Sequence, residues 1–144
     1  MTKPKAEPPV AAATGQSAQS RREPPALMEP GSPPPKVKPM TVKDPATGLT
    51  FYFEKDGQTI AAIKPDGSIL WHRNPIAERG VKGWTKDGRV LWPTIYFAAV
   101  ASERSKKKMT DRSKPGDYLD IGFTTKEFGV LNEKTGEFTS FGSD

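Results

Sequence analysis

From Leu49 onward, apolar and polar positions alternate along the chain. Leu49, Phe51 and Phe53 fall on one side of an extended backbone, and Thr50, Tyr52 and Glu54 fall on the other, the period-two pattern of a strand with one buried face. The runs are short and bounded by turn chemistry: Thr47-Gly48, Asp56-Gly57 and Asp66-Gly67 separate the β-prone stretches 49–54, 59–63 and 68–72. This predicts a three-stranded antiparallel meander. A second meander is predicted over 118–124, 128–132 and 137–141, with Lys134-Thr135-Gly136 as its clearest turn. Phe138 and Phe141 do not share strict alternation, which predicts a bulge or an early strand end near Ser140. Between the meanders, Pro93 precedes 95–101, where alanines favour a helix and Ile95, Tyr96, Phe97 and Val100 favour a strand. The strand is preferred, paired with 118–124. The fold class predicted is mainly β, about seven short strands in two antiparallel meanders forming a small sandwich or open barrel.

Before Asp44 the alternation is lost. Residues 1–43 hold ten of the fifteen prolines and none of the thirteen aromatic residues. Such a segment buries too little apolar surface to offset the entropy of ordering it. The chain is therefore divided into a disordered proline-rich arm, 1–43, and a β-rich domain, 44–144. The arm is expected to be partly polyproline II, stiffest at Pro33, Pro34 and Pro35. Within it, 36–41 also reads as an edge strand.

A turn-and-strand unit recurs. Lys64-Pro65-Asp66-Gly67-Ser68-Ile69-Leu70-Trp71 aligns with Thr85-Lys86-Asp87-Gly88-Arg89-Val90-Leu91-Trp92, and more weakly with the stretch from Glu133 to Phe138. The Asp-Gly-x-(Ile/Val)-Leu-Trp pattern resembles the strand ends of quinoprotein-like β-propeller blades. The resemblance covers about thirty residues, and the chain is too short for a closed propeller, so no quinone site is carried over. The ending, with Ile121-Gly122-Phe123, Phe128-Gly129-Val130-Leu131, Thr135-Gly136 and Phe138, read with Leu70-Trp71-His72-Arg73, also resembles small uncharacterised proteins of tailed bacteriophages and prophages. That resemblance implies a virion or tail-associated role and names no chemical site.

Composition removes most chemistry. Cysteine is absent, and His72 is the single histidine, so thiolate and multi-histidine metal sites are excluded and a nucleophile–histidine pair would have to be built on one strand-end residue. Asp56, Asp66 and Asp87 each precede glycine, where a turn accounts for them. Asp117 and Asp120 flank Tyr118 with no spacing that marks an acid–base pair. Gly80-Val81-Lys82-Gly83 fits no phosphate loop. No catalytic residue, metal or cofactor is predicted. Neither a secretory h-region nor eighteen consecutive apolar residues occur, so no Sec export and no spanning helix are predicted.

Charge supplies the one concentrated feature. The arm is +4 and the domain +1, while 104–114 alone is +5. Arg104, Lys106, Lys107, Lys108, Arg112 and Lys114 are the candidate partner- or phosphate-binding residues, read as the projecting tip of a hairpin between 95–101 and 118–124. The plainer reading is a solvated loop, and no aromatic lies between Val100 and Asp117 to stack on bases. Trp71 and Trp92 end strands and suit core packing, whereas Trp84, between the repeats, is the candidate exposed aromatic.

The function expected from these features is a non-enzymatic structural or adaptor component of a bacteriophage particle, in its tail or head–tail region. Its partners would be protein subunits of a larger assembly, oligomeric in context, with the arm ordering on neighbours; its location would be the virion if phage-encoded and otherwise the cytoplasm. The alternatives are a nucleic-acid-binding accessory protein using 104–114 and a small ligand-binding module.

Overall fold

Two antiparallel sheets face each other because two stretches of alternating chain each hide one side. The structure, a computed structural model, describes residues 18–143. The first sheet runs in chain order: β2 (Met40–Asp44), β3 (Leu49–Phe53), β4 (Ile60–Ile63) and β5 (Ile69–Arg73). The second contains β1 (Gln19–Arg21), β8 (Ile95–Val100), β9 (Tyr118–Phe123), β10 (Glu127–Asn132) and β11 (Phe138–Ser143), in the order β1-β8-β9-β10-β11. A separate ribbon joins β6 (Trp84–Lys86) to β7 (Arg89–Leu91). The helices are α1 (Pro75–Arg79) and α2 (Glu103–Asp111). Among the described residues no helix is long and apolar enough to cross a membrane.

The core lies between the sheets. Phe51, Phe53, Ile60 and Val42 from the first meet Ile95, Leu119, Ile121, Phe123 and Leu131 from the second, all essentially sealed from solvent. Each such side chain contributes about 1.5–3 kcal/mol on burial. Both predicted meanders are present, and β8 pairs with β9 as expected, from Ile95 opposite Phe123 to Val100 opposite Leu119. The irregularity expected near Ser140 is a bulge: Phe128 faces Gly142 and Gly129 faces Ser140, leaving Phe141 over. Phe138 therefore stays in the core, stacked on Phe123 at 5.0 Å, while Phe141 joins a separate cluster on the sheet's other side.

Three expectations are corrected. There are eleven strands among the described residues, not about seven. Regular pairing is present well before Asp44: β1 pairs with β8, β2 pairs with β3, and Met28 exchanges backbone bonds with Val90. The arm assignment is thus left only with residues 1–17, which lie outside the described residues. The basic stretch is a helix and not a hairpin tip. Ser102 caps it by accepting from the Ser105 N–H, its lysines and Arg104 are good helix formers, and Met109 is buried against Ala101, Tyr118 and Val130.

Two buried ionisable side chains close the seams between the sheets. At one seam Arg22, 6% exposed, donates from Nε to the Ile95 carbonyl and from Nη1 to the carbonyls of Lys38, Phe53 and Glu54, while its own N–H donates to Tyr96. Burial lowers its pKa to about 10, against the opposing charges of Asp56 and Tyr52, so it remains a cation at neutral pH. This residue adds to the strand pairing that orders the proline-rich segment: carbonyls that end β3 and precede β2 are tied to β8 through a charged donor.

At the other seam Glu133 is fully buried in the turn between β10 and β11. Its Oε1 accepts from Thr47 Oγ1 at 2.8 Å, its N–H donates to Asp117 and its carbonyl accepts the Trp71 indole N–H at 2.8 Å. Its Oε2 meets no donor and neighbours the Asp44 carboxyl. Burial first, and then that neighbour, push the Glu133 carboxyl up to about 8, since a proton between two acceptors is the arrangement that satisfies both. Gly136 lets Trp71 and Arg73 pack against this turn: a Cβ there would lie 2.8 Å from Arg73 Cδ and 2.9 Å from Trp71.

Candidate functional site

The second sheet turns an unusual set of side chains away from the core. Along β9, Leu119, Ile121 and Phe123 point inward, so Tyr118, Asp120 and Gly122 point outward. The register sets Gly122 opposite Phe97 of β8 on one side and Phe128 of β10 on the other. A shift in pairing between Ile95 and Phe97 brings Tyr96 over as well, and the β11 bulge brings Phe141, whose ring meets Phe128 edge-on at 6.3 Å. Four rings thus surround one glycine. A Cβ on Gly122 would lie 3.4 Å from Tyr96 Cε1 and 3.6 Å from Phe97 Cβ, so glycine keeps the floor between the rings open.

The helix α2 walls one side. Met109 seats it over Tyr118 and Val130, and the four-residue spacing of Arg104, Lys108 and Arg112 puts these cations in one stripe. Lys108 Nζ stands 4.6 Å and the Arg112 guanidinium 5.0 Å from the Phe141 ring. A groove of about 360 Å³ runs between Arg104 and Lys108 and the rings of Tyr96, Phe97, Phe128 and Phe141. It shares Tyr96, Gly122 and Phe128 with a trough of about 930 Å³ that reaches Arg21, Pro25, Leu91 and Lys126. From β1, Arg21 stands 4.9 Å from the Phe97 ring and 5.7 Å from Tyr96, a cation–π arrangement like that of Lys108.

Electrostatically the trough is open to an anion. Arg21, Arg104, Lys108 and Arg112 make no salt bridge among the described residues. Of the carboxylates nearby, Asp120 accepts the Ser102 N–H and Glu127 holds Arg79 at 2.9 Å, while the exposed Glu23 lines the trough beside Arg21. Burial opposes the charge on Glu127, but hydrogen bonds from Arg79 and Ser140 outweigh it and hold its carboxyl below the usual range.

The six predicted cations therefore separate. Arg104 and Lys108 line the groove and Arg112 covers Phe141. Lys106 and Lys107 pair within the helix, with Glu103 at 4.0 Å and Asp111 at 3.2 Å. Lys114 lies past the helix, where its carbonyl accepts from Tyr118 Oη. Trp84 is 45% exposed, as expected, on the β6–β7 ribbon. His72 is an exposed strand residue 2.7 Å from Glu54, and no acidic or histidine cluster able to hold a metal occurs among the described residues. Sequence reading missed Arg21, Tyr96, Phe97, Gly122, Phe128 and Phe141. The outward phase of β9 and the spacing of residues 104, 108 and 112 were the available signals. Comparisons with protein-family models, with curated proteins and with solved structures found no match for this chain.

Proposed function

We propose that this chain is a binding module without catalytic chemistry and that its ligand is single-stranded nucleic acid, laid across the outer face of the second sheet. One observation carries the reading: Tyr96, Phe97, Phe128 and Phe141 share that face with Arg21, Arg104 and Lys108. Splayed bases stack on rings whatever their sequence, and phosphates follow a cationic groove. A duplex hides the faces of its bases and gains only the charges.

The assembly reading rested on the arm ordering along neighbouring subunits. Residues 18–43 support it less, because Gln19, Arg22, Met28 and Met40 are engaged with this domain's own strands.

The test is fluorescence anisotropy with labelled single-stranded DNA and RNA oligomers, beside a duplex of the same sequence and an acidic polypeptide. Single strands are expected to bind more tightly than the duplex, and Phe128→Ala is expected to weaken them by roughly 5- to 100-fold, the loss of one stacking partner. The DNA and RNA arms show which sugar is preferred. Saturable binding confined to the acidic polypeptide, or equal affinity of wild type and Phe128→Ala, would refute the proposal.

A further inference from the structure

The β6–β7 ribbon repeats the composition of the trough on a smaller scale. Its turn, Asp87-Gly88, has positive φ at both residues, 52° and 75°, the two-residue hairpin geometry that glycine and aspartate allow. Across the ribbon Trp84 stands opposite Leu91, and Lys86 stands opposite Arg89. Directly opposed residues of an antiparallel pair project to the same side, as do residues two apart. One face of the ribbon therefore carries an indole, an aliphatic side chain and two cations. Thr85 and Val90 take the other phase, and Val90 is held to the body by backbone bonds with Met28 at 2.7 and 2.9 Å.

Leu91 fixes where this face lies. It lines the far end of the trough, together with Arg21, Tyr96, Gly122, Phe128 and Lys126. Trp84 is 45% exposed, and Gly83 beside it approaches the Leu91 carbonyl so closely that a Cβ would lie 2.0 Å from that oxygen. The ribbon is thus pinched where it joins the trough, with its tryptophan displayed beyond the pinch. Lys86 makes no ion pair among the described residues, and Arg89 has only Glu29 at 3.5 Å, both side chains more than half exposed.

We infer that the ribbon is a second contact for the same ligand, with Trp84 stacking a base and Lys86 and Arg89 meeting phosphates of a strand that leaves the trough past Leu91. This rests on the reading of the trough as a single-strand site and adds a length requirement to it. A short oligomer fills the groove between α2 and Gly122; only a longer one reaches Trp84.

The experiment compares the full chain with its Trp84→Ala and Trp84→Phe variants, using oligothymidylates of about 4, 8 and 16 nucleotides, the span of single-strand sites on small β domains. In wild type the longest oligomer is expected to bind more tightly than the added lattice positions explain. Trp84→Ala is expected to lose roughly ten-fold for that oligomer and nothing for the shortest, and Trp84→Phe to retain most of the gain. The wild-type-minus-Trp84→Phe difference in emission is expected to be quenched by the longest oligomer alone. Equal loss at all lengths, or no loss while Phe128→Ala still weakens every oligomer, overturns the ribbon contact and leaves the trough standing. If no oligothymidylate binds wild type, the trough reading and the ribbon contact fail together.

Discussion

One row of side chains across each sheet shows how differently the two outer faces are used. On the first, Thr41, Tyr52, Ala61 and His72 stand in register, with Glu54 held by the histidine. On the second, Phe97, Gly122 and Phe128 stand in register, with Phe141 bulged in beside them and Arg21 and Lys108 over the rings. Both sheets obey the same alternation and share one core. The first spaces a single ring among small, polar and aliphatic neighbours, Ile69 among them 62% exposed; the second puts a glycine at the centre and rings around it, where cations gather. A fold needs only the inner phase of each strand, so the outer phase of the second sheet is where this chain departs from what stability requires.

The comparison depends on the two sheets being held face to face, and the largest predicted effect comes from breaking that. Arg22→Met keeps an unbranched stem and removes the donors at its end, leaving the carbonyls of Ile95, Lys38, Phe53 and Glu54 without the guanidinium. The expected loss is about 3–5 kcal/mol in all, since each buried carbonyl left without its donor costs about 1–3 kcal/mol. Equilibrium denaturation measures it, and hydrogen exchange should show residues 18–43 losing protection first. Unchanged exchange there would mean that strand pairing alone holds the segment.

The opposite seam carries the next effect. The Glu133 carboxyl is near 4.5 when unfolded and about 8 when folded, so between those values the folded chain holds a proton that the unfolded chain has released. Stability must therefore fall as pH rises through that window and level off above it. The expected decline between about pH 5 and pH 9 is on the order of 3 kcal/mol. Glu133→Gln keeps the shape and places donors toward Asp44, so it should flatten the curve and be the more stable chain on the alkaline side. Parallel pH curves for the two proteins would show that Glu133 is not the group that titrates in this window.

How much of this was legible follows the same division. Inner phases were readable because Leu49, Phe51 and Phe53, or Leu119, Ile121 and Phe123, repeat at period two. The bulge near Ser140 was visible in the broken phase of Phe138 and Phe141. Arg22 was not, because a proline-rich setting carries no periodicity and a buried cation is recognised only by the carbonyls converging on it. The helix α2 was hidden by its own charge: one buried residue, Met109, in nine gives no apolar stripe. The repeated Asp-Gly units each form a turn that feeds a strand, but the turns differ in detail. Asp87-Gly88 makes a two-residue turn, whereas Asp66 bonds Ser68 through its side chain and the strands it joins shift register between Ala62 and Ile63. The trough could not be assembled from any one segment, since its rings come from three separate strands and its cations from a helix and the arm.

The finest test of the comparison separates cations that face the rings from cations that do not. Arg104→Ala with Lys108→Ala and Lys106→Ala with Lys107→Ala remove the same charge from the same helix. The first pair lines the groove and the second is paired with Glu103 and Asp111. If phosphates lie along the groove, each lost contact lowers the slope of log affinity against log salt for a single strand by about 0.7. The first double variant should therefore reduce the slope by roughly 1.4 and weaken binding several-fold at low salt, and the second should leave the slope nearly as it was. Equal slopes would mean that the helix acts as diffuse positive charge, and the outer face of the second sheet would then differ from that of the first in its rings alone.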